Sequence, residues 1–213
     1  MRDVRGATAI EDYVKVIYGH TEWQPEKITT TALAARLGLA ASSVTEMVKK
    51  LVAAGLVHHE PYGAIELTPD GTALALRMVR RHRLIETWLV NHVGFSWDEV
   101  HDEAEVLEHA MSDRVVDAID DQLGNPTRDP HGDPIPTRAG RVTRSTAVLL
   151  ADLPVGARAA VTRISDRDPL LLRRLEAHGV ALDTALTRTD SGATVGAVEL
   201  GANALASIWV TTP

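Results

Sequence analysis

Hydrophobic positions at helical spacing dominate the beginning of the chain. Residues 7–19 carry apolar side chains at Ile10, Val14 and Ile17, with Tyr13 and Tyr18 beside them. Intervals of three and four residues place these side chains on one face of a helix. The pattern therefore predicts a first helix over this segment.

Two more helices are predicted close behind the first. The segment 32–38 is short, follows three threonines that offer N-cap hydroxyls, and stops at Gly38. After a tight connection, Ser42 and Ser43 offer caps for a longer helix that Gly55 ends. The inner stripe of that helix is Val44, Met47, Val48 and Leu51.

A β-hairpin is predicted after these helices. Two apolar runs, residues 56–59 and 64–68, flank the turn signal Pro61-Tyr62-Gly63. Helix, short helix, tight turn, amphipathic helix and hairpin, in that order, are typical of a winged helix-turn-helix. The alternative is a generic small helical domain with a hairpin.

The start of the third predicted helix favours DNA as the partner. Its small polar side chains and backbone N–H groups suit phosphates and base edges in a major groove. Its lysines suit the phosphate backbone, although they fit a solvated helix face equally well. The residues expected to contact double-stranded DNA are Thr31, Ser42, Ser43, Thr45, Glu46, Lys49 and Lys50.

Helical patterns continue through the middle of the chain. They cover residues 71–92, 96–111 and 113–124. Ser96 and Glu99 stand at the spacing of a capping box for the second of them. The stretch 125–140 contains four prolines and is predicted to be loop and linker.

From about residue 143 the composition changes to short runs of Val, Thr, Ala and Gly with one helical insert. Closely spaced short strands predict a small SH3-like β-barrel. The expected fold is mainly α with a small β part. Its expected divisions are a winged helix-turn-helix domain, a helical metal-binding and dimerisation domain, a linker and the SH3-like domain, over residues 1–73, 74–136, 137–145 and 146–213.

Composition narrows the function. Cysteine is absent from the 213 residues, which excludes disulfides and thiolate metal sites. No apolar run approaches the ~18 residues of a membrane span, so we expect a cytoplasmic protein without membrane contact. The net charge of −7 argues against a nucleic-acid binder. Acidic residues gathered around bound cations would remove that objection.

Potential metal ligands concentrate in two predicted helices. His82 and Glu86 are four residues apart and share a helix face. Four more donors fall inside an arc of about 100° on the next helix; they are His101, Glu105, Glu108 and His109. Clustered carboxylates repel one another and raise their own pKa values, a cost that a dication removes. The alternative is a set of solvated pairs.

Six segments, in order, carry a family resemblance: IEDYVKVIY, SSVTEMVKKLVAAGLV, LTPDG, RRHRLIETWL, HDEAEVLEHAMSD and GDPIP. They resemble the diphtheria-toxin-repressor family of metal-dependent regulators, and the manganese-transport-regulator branch in particular. The resemblance covers about residues 6–136. From about residue 143 the chain is similar to the SH3-like domain of the longer members and of FeoA-type proteins, through LLRRLEAHGV.

The resemblance implies two groups of metal ligands. The primary set is Asp12, Glu105, Glu108 and His109. The ancillary set is His82, Glu86 and His101, completed by the C-terminal domain, where Asp166 and Asp168 are the candidates.

Ligand type indicates the ion. Iron-type members are expected to carry Met and Cys where this chain has Asp12 and Glu105, and carboxylates suit Mn²⁺, with Fe²⁺ as the alternative. Short manganese-type members place a Glu where this chain has Lys15. An ammonium group cannot bind a cation, so two separated sites are expected instead of a close pair of ions.

The resemblance implies a homodimeric repressor that binds operator DNA when metal is bound and controls genes of metal uptake. It is not expected to be an enzyme. Two rival hypotheses remain: a metalloenzyme whose ion is held by His82, Glu86, His101 and His109, and a winged-helix regulator that senses an organic ligand.

Overall fold

The computed structural model describes residues 4–23, 26–60, 63–143 and 145–212. The chain forms two compact units, Met1–Arg81 with Pro136–Arg141, and His82–Ile135 with Val142–Pro213. These units are defined by compactness alone, so the domain limits expected from the sequence stay predictions.

The first unit begins with three helices, α1 (Val4–Glu22), α2 (Thr30–Leu37) and α3 (Ala41–Ala53). Thr29 caps α2 by accepting a hydrogen bond from the Ala32 amide, and Gly38 ends it with a φ of 63°. The predicted serine cap of α3 is wrong. The N-cap position is Ala40, without a side-chain hydrogen bond. Ser42 and Ser43 lie inside the first turn, past the N-cap position from which a side-chain oxygen accepts from the unpaired amides.

Replacing Thr29 with Ala is expected to lower the free energy of unfolding by about 1 kcal/mol. The reason is the bond from the Ala32 amide to Thr29 Oγ1, at 3.2 Å. Urea denaturation measures the change. Thr31→Ala, at an exposed position within α2, is the control and should cost less. Equal losses in the two variants would mean that the Thr29 hydroxyl does not stabilise the helix.

The wing follows α3 as two antiparallel strands, β1 (Val57–His59) and β2 (Ile65–Leu67). Ile65 also forms an isolated antiparallel bridge with Ile28, which joins the segment before α2 to the hairpin. Residues 61 and 62 of the expected turn lie outside the described residues. The core beneath the three helices and the wing includes the buried side chains of Val14, Ile17, Leu33, Val44, Val48 and Leu51.

Helix α4 (Pro69–Trp88) contains the boundary between the units and continues as a π-helical turn, Leu89–Val93. Helices α5 (Val100–Ala110) and α6 (Asp113–Gln122) follow. The predicted capping box at Ser96 is wrong, because Ser96 lies in a turn that precedes α5. Its carbonyl accepts from the amides of Glu99 and Val100, and its hydroxyl donates to the Glu99 carboxylate at 2.7 Å.

The proline-rich stretch after α6 has no helix or strand among its residues 125–140, as predicted. It is nevertheless packed. Asp129, His131, Asp133 and Ile135 are all buried, and one isolated bridge joins Arg128 to Pro134. Residues 129–135, called the buried loop below, therefore form part of the second unit's interior.

The C-terminal part forms one antiparallel sheet in the order β3-β8-β4-β5-β6-β7. Its strands are β3 (Val148–Leu149), β4 (Arg158–Ile164), β5 (Ala185–Thr189), β6 (Gly192–Val195), β7 (Val198–Leu200) and β8 (Ile208–Thr211), and its helices are α7 (Pro169–Ala177) and α8 (Asn203–Ser207). The SH3-like architecture is confirmed, with one correction. Within the described ranges no pairing joins β7 to β3, so the sheet is open and not a closed barrel.

Candidate metal centre

Three predicted ligands meet between α4 and α5. His82 Nε2 lies 3.0 Å from Glu86 Oε1 and 3.1 Å from His101 Nδ1, and Glu86 Oε1 lies 3.4 Å from His101 Nδ1. His82 and Glu86 are buried, whereas the His101 side chain is 44% exposed. One donor atom from each residue lies within 4.8 Å of the others. This group is open to solvent on the His101 side.

Glu108 connects this group to the next turn of α5. Its carboxylate is fully buried, with Oε2 2.7 Å from His82 Nδ1 and Oε1 3.3 Å from His109 Nε2. Glu105 lies beside it, 3.7 Å from His101 Nε2 and within donor distance of His82 and Glu108. The predicted donors of the second unit therefore form one continuous cluster on α4 and α5.

Asp12 and Lys15 lie on α1 in the first unit, and both are partly buried. The grouping of Asp12 with Glu105, Glu108 and His109 stays a prediction.

The two C-terminal candidates have different surroundings. Asp166 Oδ2 lies 3.9 Å from His101 Nδ1, at the edge of the cluster. Asp168 is the N-cap of α7, where Oδ1 accepts from the amides of Leu170 and Leu171 at 3.1 Å. Its other oxygen accepts from Asn203. Asp166 is therefore the candidate that the fold brings to the centre.

A further group of donors was missed from the sequence. Asp129 and His131 of the buried loop lie beside Glu86, all three are buried, and their donor atoms lie within 4.8 Å of one another. His131 Nε2 lies 3.0 Å from the Trp97 carbonyl oxygen, which can only accept, so Nε2 carries a proton. Metal-bound histidines typically donate one ring N–H in this way. The available signal was DPHGDP, two carboxylates and an imidazole in a stretch taken for loop and linker.

Burial and neighbouring charges shift the pKa values of three side chains in this centre. Burial alone would raise the pKa of Glu86, but the charge of His82 and hydrogen bonds from His101 and His82 outweigh it and hold that pKa well below its usual range. Burial, together with the charges of Asp133 and Glu86, raises the pKa of Asp129 to about 7. Burial would lower the pKa of His131, yet nearby carboxylates, Glu86 first, raise it. A buried carboxylate that stays ionised among imidazoles is a suitable ligand for a divalent cation.

The predicted DNA-contacting side chains are all exposed in the first unit. Those on α3 lie on the face opposite the buried Val44, Val48 and Leu51. Thr45 Oγ1 donates to the Ala41 carbonyl at 2.8 Å, and Lys49 pairs with Glu46 at 2.7 Å. This face of α3 is exposed, and its contacts with the bases and phosphates of DNA stay predictions.

None of the described helices combines the length and the apolar character that crossing a bilayer requires.

Three family models match the chain in order. They describe the iron-dependent repressor N-terminal DNA-binding domain, at residues 7–65, the iron-dependent repressor metal-binding and dimerisation domain, at 68–137, and the FeoA domain, at 148–207.

Curated relatives and solved structures agree with these models. The iron-dependent repressor IdeR of Mycobacterium leprae is 34% identical over 191 residues, which cover 83% of this chain and 82% of that protein. The diphtheria toxin repressor of Corynebacterium efficiens is 38% identical over 138 residues, and the match spans only 58% of its length. A manganese-dependent transcriptional repressor in complex with manganese has a TM-score of 0.89 at 46% identity, covering 96% of this chain and all of that one. The manganese regulator SloR has a TM-score of 0.79 at 31% identity, covering 96% of this chain and 98% of that one.

A winged helix-turn-helix followed by a buried histidine–carboxylate centre is the layout of a metal-responsive DNA-binding protein. Together with the relatives above, it assigns the family. The chain belongs to the diphtheria-toxin-repressor family of iron-dependent repressors.

Proposed function

We propose that this chain is a homodimeric, metal-dependent transcriptional repressor that binds double-stranded operator DNA through α2, α3 and the wing when Mn²⁺ is bound. It acts in the cytoplasm, as a binding protein and not as an enzyme. The observation that carries the proposal is the group of His82, Glu86 and His101, in which one donor atom from each side chain lies within 4.8 Å of the others. The iron- and manganese-dependent repressors among its relatives support it.

Two ligand regions follow from this assignment. Glu105, Glu108 and His109 hold one ion, and Asp12 enters that set from the family resemblance alone. Glu86 belongs both to the group with His82 and His101 and to the group with Asp129 and His131. We assign both groups to a second ion region because they share the Glu86 side chain. Asp166 borders this second region.

Ligand chemistry favours Mn²⁺, with Fe²⁺ as the second candidate. The proposed donors are carboxylate oxygens and imidazole nitrogens, and the chain has no cysteine. Hard oxygen donors suit Mn²⁺, whereas sulfur donors would favour softer ions.

The proposed effect on DNA combines charge and position. A bound cation supplies positive charge that offsets the carboxylates and so reduces their repulsion of phosphates. In a dimer the two α3 helices must enter successive major grooves ~34 Å apart. Fixing the DNA-binding domains at that separation raises affinity by increasing the binding-competent fraction. The expected targets are genes of metal uptake.

Removal of metal is expected to abolish specific DNA binding. Duplexes that the Mn²⁺-loaded protein selects from a random pool provide the operator, and fluorescence anisotropy of the labelled operator measures affinity. We expect the protein to bind the operator with Mn²⁺ and to lose this binding with EDTA, and we expect added Mn²⁺ to restore it. Fe²⁺, added anaerobically, provides a comparison.

The same titration separates the rival functions. Equal operator binding with Mn²⁺ and with EDTA would contradict metal control and favour an organic signal. Failure to select any duplex would contradict a DNA-binding function.

A further inference from the structure

Asp133 of the buried loop is not among the proposed metal donors, and it makes ionic contacts with two arginines. One of them, Arg83, also lies 3.6 Å from Asp129 Oδ2 through its Nε atom. Asp133 Oδ1 accepts a hydrogen bond from Arg163 Nε at 2.8 Å and lies 3.5 Å from Arg83 Nη2. Arg83 Nη1 also donates to the Pro134 carbonyl at 2.6 Å. Arg83, Asp133 and Arg163 are all buried, so these contacts are shielded from water and poorly screened by salt.

The two arginines belong to segments that reach the metal centre. Arg83 directly follows His82 on α4, and Arg163, near the end of β4, precedes Asp166 by three residues. Asp133 therefore connects α4, which carries the proposed ligand His82, to the end of β4, which leads to Asp166.

The end of β4 makes further contacts, one with the buried loop and one with β8. The Ile164 amide donates to the His131 carbonyl at 2.8 Å. The Arg163 guanidinium lies 4.3 Å from the centre of the Trp209 ring, which fixes its direction. Asp166 follows Ile164 by two residues, so these contacts limit the positions that Asp166 can occupy.

We propose that Asp133 is a positioning residue for the metal centre: by bridging Arg83 and Arg163 it holds Asp166 beside His101. This proposal rests on the proposed function insofar as the His101 region binds a divalent ion. Asp133 does not itself bind the ion. It acts through the placement of the C-terminal ligand.

The chain offers a matched control on the same stretch. Arg128 donates to both oxygens of Asp183, at 3.0 and 2.7 Å, and so also links the loop region to the C-terminal part. Asp183 precedes β5 and is exposed, and it does not lead to Asp166. Asp183→Asn removes an Arg–Asp pair between the same parts of the unit without touching the proposed path.

The experiment counts bound Mn²⁺ in the full chain by electron paramagnetic resonance of the free ion, in the parent, Asp133→Asn, Asp166→Ala, the double variant and Asp183→Asn. Thermal unfolding of the metal-free proteins checks the fold. The amide replacement keeps the shape of Asp133 and its backbone hydrogen bonds. We expect Asp133→Asn to lower the affinity for the same Mn²⁺ ion whose binding Asp166→Ala weakens, by about 10- to 100-fold. Asp183→Asn is expected to leave that affinity unchanged.

The double variant distinguishes positioning from general stability. If Asp133 acts through Asp166, adding Asp133→Asn to Asp166→Ala lowers the Mn²⁺ affinity no further. If the two residues act independently, the fold-losses of affinity in the single variants multiply in the double variant. Multiplying losses, parent-like Mn²⁺ binding by Asp133→Asn, or an equal loss in Asp183→Asn would each overturn the proposal. If Asp133→Asn does not fold, Arg163→Lys, which keeps the charge but loses the Nε donor, replaces it with the same expectations.

These outcomes are separable from those of the proposed function. The Mn²⁺ count involves no DNA, so loss of metal control in the operator assay leaves the positioning result standing. A parent chain that binds no Mn²⁺ would overturn both.

Discussion

Glu108→Gln is expected to abolish the metal-dependent increase in operator affinity while leaving the chain folded. The Glu108 carboxylate is fully buried between His82 and His109, with one oxygen close to each imidazole. Glutamine has the same shape and can still hydrogen-bond both rings. It carries no charge and replaces one oxygen with an NH₂ group that cannot bind a cation.

Anisotropy with and without Mn²⁺ and a count of bound Mn²⁺ measure the effect. Asp102→Asn is the matched control, since it removes an exposed carboxylate from the same helix, and it should respond to Mn²⁺ as the parent does. A Glu108→Gln protein that still requires Mn²⁺, with unchanged affinity, would show that this residue is not a ligand.

Gly132→Ala is expected to lower the free energy of unfolding by about 3 kcal/mol or more, the range in which backbone strain and overpacking combine. Gly132 has a φ of 93°, which L-residues rarely adopt. A Cβ there would lie 2.1 Å from the Thr162 carbonyl oxygen and 2.9 Å from the Arg163 Cα. Both obstacles are backbone atoms of β4, so the loop itself must move.

Gly156→Ala separates the two contributions. Gly156 has a similar φ of 83°, but nothing lies within 4 Å of its virtual Cβ, so that variant carries the conformational strain alone, about 1–2 kcal/mol. Urea denaturation of both variants measures the difference. Equal losses would mean that β4 and the loop separate without cost.

Local patterns were sufficient for most helices and for the wing. The stripe of Val44, Val48 and Leu51 defines the buried face of α3, and Gly38 and Gly94 end their helices with positive φ as their positions indicate. Such signals lie within a few residues of the structure they specify. The pairing of His82 with Glu86 was predictable for the same reason, because one helical turn brings them together.

Features that depend on tertiary packing were not predictable in the same way. Ser96 has the residue types of a capping box, but the chain forms a turn there and starts α5 later. Strand runs indicated the C-terminal sheet, whereas closure depends on pairing between its distant edges. Asp129 and His131 reach Glu86 only because a proline-rich loop packs into the interior. Nothing in the local sequence fixes that path.

The position of Glu108 is expected to link the two proposed ion regions thermodynamically. Its carboxylate lies against His82 on one side and His109 on the other. A change in the charge or orientation of this carboxylate therefore alters its interaction with both imidazoles. An ion that binds Glu108 on the His109 side is expected to alter the free energy with which a second ion binds on the His82 side. Linkage then requires the reverse effect to have the same magnitude. Occupancy of the two regions is therefore expected to be cooperative, with a sign set by whether the first ion orders Glu108 for the second or withdraws its negative charge.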